Sequence, residues 1–225
     1  MLARVQATGA MASARWVGSP IVTEPQHALG LLAPLALPPD LVPVEPAPDA
    51  PPAGSVLGEH YSRCYGCGDA QPGGLHMRFV VGDGVRVVSE FVVTDDHEGA
   101  PGLAHGGLLT AALDETQATL LWLVRVPAVT VRLETDFVTP VPVGSTVQIE
   151  ASCLGIAGRK IYTAAVGRLR APSGDDVVAM RSAALFVAVP VEHFTAFGRA
   201  DLVEASMNRS VEGGDRGVRR VEVNP

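Results

Sequence analysis

Between His105 and Arg125 the chain is almost wholly apolar, and Asp114 and Glu115 are the only charges within that stretch. A carboxylate carried into an apolar helix is costly unless it is paired or used for chemistry. Just ahead lies the glycine-rich run His97-Glu98-Gly99-Ala100-Pro101-Gly102-Leu103-Ala104-His105-Gly106-Gly107. Such a run, leading straight into a helix, exposes first-turn N–H groups that the helix leaves without partners, and the helix dipole adds partial positive charge there. An oxyanion, a polarised carbonyl oxygen or a phosphate suits that place. The plain alternative is a tight turn. Successive helical residues point about 100° apart, so at most one of the two carboxylates faces a given cleft. Asp114 shares its side of the helix with Gly107, Thr110 and Ala111, whereas Glu115 is expected at a polar opening or at the sheet edge. The plain alternative for Asp114 is a cap or a bridge across a subunit contact.

The eight residues from Gly106 to Asp114 span about 12 Å of helix at about 1.5 Å per residue. A reacting carbonyl needs its oxyanion donor and its acid/base group each at about 3 Å. One chain cannot offer both. Cooperation of the two features therefore requires Asp114 of one chain to meet the Gly106 or Gly107 amide of another, in a two-fold dimer with antiparallel helices.

The elements that must position these residues lie between positions 59 and 194. Segments 75–81 and 85–93 flank Gly82-Asp83-Gly84 and read as a hairpin. Residues 106–124 are long enough for five helical turns, and 129–139, 146–154, 160–170 and 177–189 read as four further strands. Turns fall at Pro142-Val143-Gly144, at 155–158 and at Pro172-Ser173-Gly174. Short turns between consecutive strands permit antiparallel pairing only, and a helix apolar around most of its circumference must be covered on most sides. The expected class is therefore α+β, one curved antiparallel sheet wrapped around one long central helix. On 129–139 the odd positions Val129, Val131, Leu133 and Phe137 are expected to pack on the helix, with Thr130, Arg132, Glu134 and Asp136 on the opposite face.

Outside that block the composition changes. Of 18 prolines, ten lie between Pro20 and Pro52, so residues 1–58 are expected to form a Pro-rich extension in which the apolar patch 29–37 offers a docking segment. Residues 195–225 are expected to be a polar tail with one short helix. The 225 residues carry 17 Lys and Arg against 24 Asp and Glu, a net charge of −7, without a basic block, which argues against a nucleic-acid partner. Hydrophobic residues at 47% and charged residues at 18% exclude a disordered chain. No apolar run reaches the roughly 18–20 residues of a membrane helix, and Arg4 and Arg15 frame no signal-peptide core. Three cysteines make no disulfide framework, so a cytoplasmic location is expected.

Two smaller features bear on ligands. Arg159 and Lys160, the chain's single lysine, follow a glycine-containing turn and read as a phosphate clamp, or plainly as an exposed turn. Cys64-x-x-Cys67 invites a zinc reading with His60 and His76 nearby. A tetrahedral site needs two more ligands and there is no second Cys pair, so the expectation is a compact turn and no metal. Cys153 is expected in the core, and His97 and His193 in surface or capping roles.

Cys64-Tyr65-Gly66-Cys67-Gly68, Gly74-Leu75-His76-Met77-Arg78-Phe79, Pro101-Gly102-x-x-His105-Gly106-Gly107 with Leu113-Asp114, and Phe137-x-x-Pro140-Val141-Pro142-x-Gly144 with Gly158-Arg159-Lys160 together resemble the hotdog-fold thioesterases. Within them the pattern is most similar to the phenylacetate-pathway (PaaI-type) and THEM4-like acyl-CoA thioesterases, over residues 60–190. The resemblance implies hydrolysis of acyl-CoA thioesters by a homodimer or dimer of dimers, with neither metal nor other cofactor. It places the general base or nucleophile on Asp114, the oxyanion donors on Gly106 and Gly107, a loop-shaping role on His105 and a water-orienting hydroxyl on Thr130. Contacts to the CoA arm are implied at Asp136, Val138, Arg159, Lys160, Ile161, Tyr162, Thr163 and Ala164, although Asp136 stands where the family pattern has an amide. The same scaffold also serves non-catalytic acyl-CoA or fatty-acyl binding modules, and that is the competing expectation.

Overall fold

The computed structural model describes residues 35–171 and 174–203. Its centre is helix α1, Gly106–Val124, with the bounds its apolar run predicts. His105 caps its start, and Arg125 closes it in the left-handed conformation (φ 58°), its N–H returning to the Leu121 carbonyl. Pro127 follows and prevents continuation.

Seven strands wrap the helix: β1 (Val56–Leu57), β2 (Arg78–Val81), β3 (Arg86–Val92), β6 (Ala128–Phe137), β7 (Thr146–Ala157), β8 (Lys160–Leu169) and β9 (Val177–Ala188). They form one sheet in the order β1-β2-β3-β7-β8-β9-β6, antiparallel throughout. A two-stranded pair, β4 (Glu98–Ala100) and β5 (Leu103–Ala104), shapes the loop before α1. A short helix, α2 (Glu192–Phe197), follows the last strand. Strand β6 is an edge of the sheet, although it comes directly after the helix.

The helix is held by apolar packing and by three buried side-chain hydrogen bonds. Leu109, Ala112, Leu113, Leu120 and Leu123 are buried against β3 and β7 side chains such as Val87, Val147 and Ile149, and each such leucine contributes about 1.5–3 kcal/mol relative to exposure. Thr116 shares a 2.7 Å hydrogen bond with Ser89 of β3. Gln117 donates to Ser182 Oγ at 2.9 Å and accepts from Thr163 Oγ1 at 2.8 Å, joining α1 to β8 and β9. These contacts fix the rotation of α1, and with it the directions of Asp114 and Glu115.

On β6 the simple odd-even alternation fails. The register slips between Thr130 and Arg132, leaving Val131 unpaired in a bulge, and a bulge reverses which side chains face inward. Beyond it Leu133 packs with Leu121, Ile161 and Phe186, as expected for an odd position. Before it the even residues Ala128 and Thr130 turn toward the helix, and Val131 is 54% exposed.

The Pro-rich stretch enters the fold from residue 35. Val42 bridges to Ile156, the Ala47 N–H donates to the Leu123 carbonyl, and the Arg125 guanidinium donates to the Asp49 carbonyl. The next residues form β1, so the sheet already includes part of the stretch assigned to an extension. Prolines bar helix and central strand, yet an extended chain can still lie on a sheet through its remaining backbone groups. Residues 29–34, the Pro172-Ser173 turn and the tail glycines Gly213, Gly214 and Gly217 lie outside the described residues.

Candidate active site

The loop before α1 is organised by two histidines. His97 is buried; its Nδ1 accepts from the Thr94 N–H at 3.1 Å and its Nε2 lies 3.2 Å from the Gly74 carbonyl, to which it donates. The His97 carbonyl in turn accepts the His105 N–H at 2.8 Å. Of the surface or capping role expected for His97, capping is what the structure shows: it caps the turn at Thr94 and, buried, ties the loop to the segment before β2. His105 is the N-cap of α1, and its Nδ1 accepts the Gly107 N–H at 2.9 Å. That bond fixes the tautomer with the proton on Nε2. It also commits the Gly107 amide within its own chain, so Gly106 supplies the first-turn donor left for a ligand. A Cβ at Gly106 would sit 3.4 Å from the Phe137 ring, which packs over the helix start.

Asp114 lies two turns further along α1, half-buried, and accepts a 2.9 Å hydrogen bond from Thr130 Oγ1. Burial raises its pKa above the ordinary aspartate value; the Thr130 bond lowers it in part, and the Glu115 charge adds to the rise. The bulge at Val131 produces this pair, because regular alternation would have turned Thr130 away.

Glu115 points to the other side of the helix, toward the Cys64-x-x-Cys67 turn. Both of its carboxylate oxygens lie 3.5 Å from Cys64 Sγ, and Oε1 lies 3.4 Å from His60 Nδ1. Cys67 Sγ is 3.1 Å from the same nitrogen. Burial works against charge on both groups but is outweighed: the bond to Cys64, and then the bond to and charge of Glu115, raise His60 to about 9, and the bond to and charge of His60 hold Glu115 below its ordinary value. The donors of His60, Cys64, Cys67 and Glu115 all lie within 4.8 Å of one another. His76, named beside His60 in the sequence, is not part of this group. The sequence signal for Glu115 was the helical offset from Asp114; its partners were invisible because they come from 48 to 55 residues upstream.

The residues expected on the CoA arm divide into two sets. Asp136, Val138 and Lys160 are exposed, and Ala164 is half-buried. Ile161, Tyr162 and Thr163 are buried at 1%, 5% and 0% exposure, so their side chains are corrected to core positions: Ile161 packs with Phe186, and Thr163 bonds to Gln117. Arg159 donates from Nε and Nη2 to the Ala188 carbonyl at 3.1 and 2.8 Å, which fastens the β8 turn to the end of β9 and leaves Lys160 as the outward cation.

Residues 101–168, from the loop through α1 and β6 into β8, match the family model of the thioesterase superfamily. The crystal structure of a thioesterase superfamily protein superposes with a TM-score of 0.50 at 22% identity, covering 61% of this chain and 69% of that one. The domain has a hotdog fold, one large antiparallel sheet packed on one long helix. Among curated proteins, the chain is 32% identical over 95 residues to mouse acyl-coenzyme A thioesterase THEM5, covering 42% of this chain and 37% of that protein. It is 30% identical over 90 residues to Xenopus laevis acyl-coenzyme A thioesterase THEM4, covering 40% and 39%. The chain thus spans under two fifths of the length of these relatives.

Proposed function

We propose that this chain is an acyl-CoA thioester hydrolase in which Asp114 is the general base or nucleophile. The observation that carries the reading is the Thr130–Asp114 hydrogen bond, which holds one carboxylate oxygen and leaves the other for water or a thioester carbonyl. A thiolate leaves without strong acid assistance, so one carboxylate and one oxyanion donor suffice. Similarity to proteins named acyl-coenzyme A thioesterases supports the substrate class.

The oxyanion donor comes from a second subunit. Along β6, Thr130 stands by Asp114 at one end and Phe137 over Gly106 at the other. Antiparallel pairing of two β6 edges about the midpoint between Leu133 and Glu134 sets Thr130 against Phe137 of the partner subunit. That registry carries Asp114 toward Gly106 of the partner subunit, the meeting that the helical distance demands. The Gly106 N–H then stabilises the developing oxyanion, His105 holds the loop, and Lys160 contributes charge to the CoA phosphates.

The test is thiol release from a panel of acyl-CoA and aryl-CoA substrates by the wild type and by Asp114→Asn. Turnover by the wild type and its loss in the variant are expected. Binding of acyl-CoA without thiol release would overturn the hydrolase reading in favour of a binding module, and full activity of the variant would remove Asp114 from it.

A further inference from the structure

The hydrolase reading leaves Glu115 and the Cys64-x-x-Cys67 turn without a task. We propose that His60, Cys64, Cys67 and Glu115 form a structural zinc site that fastens the segment before β2 to the middle of α1. The donor set is one imidazole nitrogen, two thiol sulfurs and one carboxylate oxygen, all within 4.8 Å of one another. In a tetrahedral zinc shell, with bonds of about 2.3 Å to sulfur and about 2.0–2.1 Å to nitrogen and oxygen, neighbouring ligands stand about 3.3–3.8 Å apart. Two separations fall in that range, 3.5 Å from Cys64 Sγ to Glu115 and 3.4 Å from His60 Nδ1 to Glu115, and Cys67 Sγ stands somewhat closer to His60, at 3.1 Å.

The frame around the donors is built for this convergence. The turn is closed by the Gly68 N–H to the Cys64 carbonyl and anchored by the Met77 N–H to the Gly66 carbonyl, each at 2.9 Å. At Gly66 a Cβ would stand 2.6 Å from Glu115 Cγ, so only glycine lets the glutamate stem cross the turn and present its carboxylate to both sulfurs. Trp122, two helical turns beyond Glu115, meets the His60 ring edge-on at 5.9 Å between centroids and orients it.

The chemistry selects the metal. Two thiolates disfavour magnesium and calcium, which take oxygen donors, and an iron–sulfur cluster takes four cysteines, or two with two histidines, whereas this set has two cysteines and one histidine. Four protein ligands fill a tetrahedral zinc and leave no open position, which marks a structural site. The second pair of ligands, missing when only cysteines are counted, comes from the preceding loop and from a helix half the domain away.

The full-length protein, purified under reducing conditions and stripped with a chelator, is titrated with zinc alone. About one zinc per chain is expected, with a raised melting temperature and with Cys64 and Cys67 protected from alkylation until chelator is added. Cobalt in place of zinc should give the visible bands of tetrahedral thiolate coordination. Cys64→Ser with Cys67→Ser should abolish stoichiometric binding, and Glu115→Gln should weaken it at least tenfold. The alkylation pattern of the wild type is a readout independent of whether the double variant folds. No zinc uptake by the wild type, unprotected cysteines at saturating zinc, or a Cys64–Cys67 disulfide as the stable form with no metal affinity after its reduction would each overturn the proposal.

Discussion

Thr130 reaches Asp114 because the strand makes one irregular step just after it: Val131 is squeezed out of the β6–β9 ladder, and the hydroxyl two positions before Arg132 turns inward to donate at 2.9 Å. A bulge here does the work of a side-chain choice. It puts a threonine where uninterrupted alternation from Leu133 would have placed the neighbouring valine.

Loss of that pair should be graded. Asp114→Asn removes the base or nucleophile and should lower kcat by about 10²–10⁴-fold, the usual worth of such a group. Thr130→Val removes one hydrogen bond and should cost about tenfold, in line with about 1–1.5 kcal/mol. Thiol-release kinetics on both variants check the order, with circular dichroism confirming that each is folded.

The pH profile should carry the mark of Asp114. Burial, the largest cause, raises its pKa, and the Thr130 bond only partly offsets this. A carboxylate must be ionised to act, so kcat/KM should fall as pH drops through a pKa higher than that of an exposed aspartate. The acid limb should be absent from the residual activity of Asp114→Asn. Since burial outranks the Glu115 charge among the causes, the direction should persist in Glu115→Gln.

Much of this site could be read in the sequence, and what escaped did so for physical reasons. The bounds of α1, the glycine loop and the succession of long strands along the chain follow from apolar periodicity and turn residues, which are local, whereas the pairing of β6 with β9 rather than with β7 does not. The Val131 bulge is not local: nothing in Val129-Thr130-Val131-Arg132 marks it, because it is set by pairing with Phe186 and Leu185 on β9. The partners of Glu115 and Gln117 were hidden for the same reason. A polar residue inside an apolar helix announces that it needs a partner, but not which strand or loop supplies one. The Pro-rich segment was legible as non-helical, yet its attachment to Leu123 and Ile156 depends on backbone groups that composition does not encode.

Gln117 offers a stability test of that buried network. Gln117→Leu keeps the volume but strands the hydroxyls of Thr163 and Ser182, each at a cost of about 1–3 kcal/mol. Its melting temperature should fall clearly. Adding Thr163→Val and Ser182→Ala should recover part of the loss, since removing every partner of a buried polar group is far less costly than removing one. Failure of the triple variant to recover would mean that the network acts through packing rather than hydrogen bonding.

Arg159 and Lys160 should separate in function although they adjoin in sequence. Lys160 is exposed, so Lys160→Ala should raise KM for acyl-CoA by about two- to fivefold at low salt, an effect worth up to about 1 kcal/mol, and the difference should shrink as salt screens it. Arg159 holds the Ala188 carbonyl with two donors, so Arg159→Ala should lower the melting temperature more than it raises KM. Kinetics at two ionic strengths, beside thermal melts, distinguish the roles.

The edge strand gives the last prediction. β6 exposes Val131 and Phe137 at 54% and 56% on one border of the sheet, where no further strand pairs with it among the described residues. Exposed apolar edges invite a further strand, and a self-complementary one closes on a second copy of the chain. The wild type should therefore have at least a dimer's mass in solution. Val131→Asp, exposed in the bulge and set by the Thr130–Phe137 registry opposite Asp136 of the partner subunit, should shift it toward monomer by like-charge repulsion across the contact. Activity should fall with the dimer fraction and recover as protein concentration rises, because Asp114 and the Gly106 N–H lie about 12 Å apart along one helix and cannot act together within a single chain. Light scattering and specific activity measured over the same concentration series decide this. A fully active monomer would break the cross-subunit geometry, because the oxyanion donor would then have to come from Asp114's own subunit.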